Sequence, residues 1–106
     1  MKIDIITKAL NKWLGTVFIE HNGRFISRVY EEGTAFGPYK KFIGEVYYCI
    51  DNSNALITEV AVTINSIEAT EEQKDVLYTN IIWDILTQLE DIKIKIKDVE
   101  QMSNLV

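Results

Sequence analysis

Thr16-Val17-Phe18-Ile19-Glu20-His21-Asn22-Gly23-Arg24-Phe25-Ile26-Ser27-Arg28-Val29-Tyr30 decides how many strands the fold holds. Two β-rich runs flank Asn22-Gly23. A type I′ turn needs φ > 0 at both central residues, and Asn-Gly tolerates that better than almost any pair. The stretch therefore reads as a hairpin of strands 16–21 and 24–30, and its register follows. Ile19 faces Ile26, Phe18 faces Ser27, Glu20 faces Phe25 and His21 faces Arg24. Phe18, Phe25 and Val29 share one face, and Val17, Ile19, Ile26 and Tyr30 the other, so cover is expected on both sides.

Upstream, residues 3–14 carry Ile3, Ile6, Ala9, Leu10, Trp13 and Leu14 on one arc at 100° per residue, with Asp4, Thr7, Lys8, Asn11 and Lys12 opposite. That is an amphipathic helix. Ile5 lies off the arc, which leaves a short strand at 2–6 as the alternative, and Gly15 is the expected stop.

Downstream, residues 31–42 contain Gly33, Gly37 and Pro38 and read as irregular. Residues 43–50 and 55–66 alternate around Asp51-Asn52-Ser53-Asn54 and predict a second hairpin. Thr70 and Gln73 form a capping box, with Glu71 and Glu72 in the first turn where the helix dipole favours them. Leu77, Tyr78, Ile81, Ile82, Ile85, Leu86 and Leu89 then predict a long helix over 70–91. Ile92-Lys93-Ile94-Lys95-Ile96-Lys97 alternates strictly and predicts a lysine-guarded edge strand, followed by a loosely held tail from Asp98. The expected fold is a single α+β domain over 1–106. Two antiparallel hairpins and a short C-terminal edge strand pack against an N-terminal helix and a long C-terminal helix.

A chain of 106 residues with 47% hydrophobic and 25% charged residues can bury a core without staples. One cysteine, Cys49, allows no internal disulfide, which suits a reducing compartment. The first apolar run is broken by Asp4, Lys8 and Lys12, so no signal peptide is expected. No apolar stretch approaches the length of about 20 residues that a membrane span needs. The expected location is cytoplasmic. Sixteen isoleucines and one proline suit an AT-rich coding sequence, as in low-GC bacteria and their phages. The net charge of −5 is uneven: residues 1–50 carry +2 and residues 51–106 carry −7. Acidity of this kind disfavours direct binding of a phosphate backbone. It keeps a small domain soluble and favours a basic partner.

The chemistry-bearing residues do not form a constellation. His21 is the only histidine, expected to be exposed beside the turn, and Cys49 is expected to be a buried structural thiol. One of each cannot supply a zinc site. Asp51–Asn54 lacks the central glycine and helix flanks of a calcium loop. No glycine-rich phosphate loop is present. Glu31-Glu32, Glu68, Glu71-Glu72 and Glu90-Asp91 read as solvated faces rather than acid–base pairs. Neither catalytic residues nor a cofactor or metal are expected.

Two features exceed what folding requires. Trp83 lies toward the polar side of the long helix with Val76 and Asp84 nearby, and is either an interface anchor or packed beneath a neighbouring element. The 36–42 loop sets Phe36 and Tyr39 beside Lys40 and Lys41; its aromatics either engage a ligand or cover the core edge. The leading expectation is a non-catalytic acidic protein-binding module, of the inhibitor, immunity or anti-defence kind, acting on a basic target surface. The alternatives are a small self-associating structural subunit of phage or virion type and a small-ligand binder at a subunit interface.

Overall fold

The computed structural model describes residues 3–33, 39–65 and 70–103. Its elements run α1 (Ile3–Val17), β1 (Arg24–Gly33), β2 (Tyr39–Ile50), β3 (Ser53–Asn65), α2 (Glu71–Leu86) and α3 (Leu89–Ser103). The strands form an antiparallel sheet in the order β1-β2-β3. The class is α+β, as the periodicities predict, but with three strands and three helices among the described residues.

The first expected hairpin does not form. Helix α1 continues through Gly15, because Leu10, Leu14 and Phe18 extend one buried stripe at intervals of four, and the Phe18 N–H still bonds to the Leu14 carbonyl at 2.9 Å. Phe18 then packs on Phe25 with ring centroids 5.9 Å apart. Val17 and Ile19, which the hairpin would have placed in a strand, stay exposed. Burial of Phe18 overrides the β propensity of its neighbours. Asn22-Gly23 takes no left-handed conformation; positive φ occurs among described non-glycine residues only at Asp51 (54°) and Asn52 (74°). The two-residue primed turn therefore belongs to the β2–β3 hairpin, where Ile50 pairs with Ser53. Strands β1 and β2 also run further than the 31–42 reading allowed, pairing out to Gly33 and Lys40.

Even-numbered β2 residues Phe42, Gly44, Val46 and Tyr48 face the helices, joined by Phe25 and Ser27 from β1. At Gly44 the sheet meets α2 so closely that an added Cβ would collide with Ile81 Cγ2. A bulge between Val46 and Tyr47 lets Ile57 and Thr58 both turn inward on β3. Two buried hydroxyls are satisfied. Ser27 Oγ donates to Asn11 Oδ1 at 2.6 Å, and Thr58 Oγ1 donates to Gln88 Oε1 at 2.6 Å.

That second bond marks a break in the expected long helix. The capping box at Thr70 and Gln73 is present, but α2 ends at Leu86. Thr87 and Gln88 close the last turn through short bonds to Asp84 and Ile85. Helix α3 then replaces both the predicted edge strand and the loose tail. Ile92 and Ile96 are fully buried, one helical turn apart, while Ile94 is 58% exposed. Leu89 and Val99 continue the inward stripe, so the Ile-Lys alternation is a coincidence of two apolar turns with one outward isoleucine. Residues 98–103 belong to this helix, and 104–106 lie outside the described residues.

Candidate interaction surfaces

Helix α2 buries Tyr78, Ile81, Ile82 and Ile85 against the sheet. The 3.6-residue period then forces Val76, Asn80, Trp83 and Asp84 outward. Trp83 is 63% exposed and Val76 60%, so the tryptophan is not packed beneath a neighbour. Glu71, Glu72, Asp75 and Asp84 are also exposed on this helix. The helix's one cation, Lys74, is drawn away to Glu31 at 3.4 Å. Val76 also rims an open groove lined by Ile64, Gln73 and Leu77.

The aromatic-basic segment is not one surface. Phe36 lies outside the described residues. Tyr39, Lys40 and Lys41 open β2, and strand alternation separates them. Lys40 turns to the helix side and pairs with Glu31 at 3.2 Å. Its hydrogen bond, helped by its charge and that of Lys74, holds the Glu31 carboxyl below its ordinary value despite partial burial. Tyr39 and Lys41 belong to the opposite face.

His21 is not an exposed turn residue. Its side chain is 14% exposed and its Nδ1 donates to Glu100 Oε1 at 2.6 Å. Tyr48 Oη donates to Glu100 Oε2 at 3.0 Å and accepts from the Gly23 N–H at 2.8 Å. Burial, reinforced by the Glu100 carboxylate and opposed by the Gly23 N–H, raises the Tyr48 phenol pKa. Gly23 is required for close approach, since a Cβ there would strike the Tyr48 ring. The network ties the segment after α1 to β2 and α3. Sequence reading missed it because its members are 79 and 52 residues apart.

The sheet face away from the helices was not singled out by the sequence pattern. Its cross-strand rows are Arg24–Cys49–Asn54, Ile26–Tyr47–Leu56, Arg28–Glu45–Glu59, Tyr30–Ile43–Ala61 and Glu32–Lys41–Thr63. Cys49 is half-buried here rather than buried. Ile26 and Leu56 are exposed, yet Ile43 and Glu45 are only 4% and 8% exposed. The Arg28 guanidinium lies 4.9 Å from the centre of the Tyr30 ring. Glu45 Oε2 accepts from Tyr47 Oη at 3.2 Å, while Oε1 is buried without a hydrogen-bond partner. Burial and then the Glu45 carboxylate raise the phenol pKa values of Tyr30 and Tyr47. The one available signal was a glutamate inside the apolar run Ile43-Gly44-Glu45-Val46.

Among the described residues, no group of three or more His, Cys, Asp or Glu side chains could hold a metal ion. No described helix is long and apolar enough to cross a membrane. No family model, curated protein or solved structure matches the chain.

Proposed function

We propose that the protein is a non-catalytic binding module whose acidic α2 face docks on a basic protein surface. The observation that carries this reading is Trp83, 63% exposed on a helix whose core face is already filled. An exposed tryptophan supplies a large anchor. The acids exposed on the same helix steer association with a cationic target and discourage acidic ones. Inhibition of a basic target, in the manner of immunity or anti-defence proteins, is the finer form of the proposal.

The test is affinity capture from extract of the source cells with the wild type and a Trp83→Ala/Val76→Ala variant. The reading expects a basic protein retained by the wild type, released by moderate salt and lost by the variant. Retention of the same proteins by both overturns it. The self-associating alternative is favoured by a different surface, the sheet face away from the helices.

A further inference from the structure

We propose that the uncovered sheet face is a two-fold interface with a second copy of this chain. All three described helices lie on the other side of the sheet, and among the described residues no element covers this side, which exposes Ile26 and Leu56 beside half-buried Tyr30 and Tyr47 and a buried Ile43. A two-layer fold of this size leaves such a face wet only if nothing covers it.

The charge pattern selects the occupant. The side chains of this face sum to zero, unlike the acidic chain as a whole. Its charges are also unevenly placed, with Arg24, Arg28 and Glu32 summing to +1 on β1 and Glu59 giving −1 on β3. A two-fold axis parallel to the strands, over β2, places β1 of one copy on β3 of the other without changing the row. Arg28 then meets Glu59 of the second copy, Ile26 meets Leu56, and the bulky Tyr30 meets the small Ala61.

Two features of the single chain bear on this row. Glu45 and Glu59 are directly opposed like charges on neighbouring strands. Glu45 Oε1 is buried and unpartnered, although the residue is more than nine-tenths buried. On this axis Glu45 meets Glu45 of the second copy, and the two carboxylates are bracketed by Arg28 of both copies, each of which donates to an orphaned oxygen. The size also suffices. Five rows across three strands project about 500 Å² per copy, hence about 1,000 Å² in total, where specific interfaces begin.

Sedimentation or light scattering over a micromolar to sub-millimolar series tests the proposal, with far-UV circular dichroism on every variant. The wild type is expected to reach twice the 12.2 kDa chain mass. Arg28→Glu should weaken dimerisation roughly 100-fold, because two symmetry-related ion pairs become repulsions. Glu59→Arg should weaken it likewise while raising the melting temperature at concentrations where both proteins are monomeric, since the new arginine sits beside Glu45 within one chain. The double variant Arg28→Glu/Glu59→Arg rebuilds the mirror image of the row and should restore the dimer. Trp83→Ala should leave it unchanged. A wild type that stays monomeric throughout, or a double variant no better than the single ones, overturns the proposal. Leu56→Lys provides a second probe, and an unchanged dimer in that variant also overturns it.

Discussion

Alanine substitutions along Ile92, Ile94 and Ile96 separate a helix from a strand by energy alone. In α3, Ile92 and Ile96 are fully buried and Ile94 is 58% exposed. Ile96→Ala removes three buried carbons at about 0.8 kcal/mol each, near 2.4 kcal/mol in transfer. The cavity left behind adds about 1–2 kcal/mol. Alanine's better helix propensity returns about 0.4 kcal/mol. The expected loss is about 3–4 kcal/mol, a fall in melting temperature on the order of 12–25 °C for a domain near this size. Ile92→Ala should behave alike. Ile94→Ala should change stability by less than about 0.5 kcal/mol, because little burial is lost and propensity improves. Urea unfolding followed by far-UV circular dichroism is the suitable assay. Trp13 and Trp83 are already 42% and 63% exposed, so their fluorescence reports folding poorly. A strand would put all three isoleucines on one face and make their costs comparable. Equal losses at Ile94 and Ile96 would therefore refute the helical account.

Two further outcomes follow from particular contacts. Gly44→Ala should destabilise by about 1–3 kcal/mol through overpacking, since its methyl would enter the space of Ile81 Cγ2; adding Ile81→Ala should cost less than the two single losses combined, measured as a double-mutant cycle in urea. Glu31 titrates below its ordinary value of 4.5 because Lys40 donates to it, so its contribution is fully present above that value and is lost as pH falls through the lower folded value. Lys40→Met should accordingly flatten the acid limb of a melting-temperature profile while leaving the region above pH about 6 nearly parallel to wild type; an unchanged acid limb would count against the pair.

Much of the architecture was written locally. The Thr70–Gln73 capping box needs only residues within one turn, and it is present as read. Helix α1 and the β2–β3 pairing were legible in the same way, but Ala9 and Trp13 of the expected apolar arc are exposed, and the bulge turns Leu56 outward and Ile57 inward, the reverse of simple alternation with Val60, Val62 and Ile64. The misreadings share one cause: a local preference lost to burial against residues distant in sequence. Asn22-Gly23 favours a hairpin, but Phe18 gains more by packing on Phe25 from a helical position, and the glycine is used to admit the Tyr48 hydroxyl. The Ile-Lys alternation suits a strand over six residues, but Leu89 and Val99 extend the pattern to a helical period once both flanks can be buried.

The candidate surfaces divide in the same way. Periodicity alone placed Trp83 near the polar side of its helix, because a helix's angular order is set by its backbone. Whether that side was covered depended on what packed over it. Composition determined that the chain is acidic and could hold a core. Only the tertiary structure decided that Lys40 and Lys41 part to opposite faces, that His21 reaches Glu100, and that Glu45 is buried with an unsatisfied oxygen between Arg28 and Glu59. Strand register brings those three charges into one row, and register is set by long-range pairing that no short window of sequence contains.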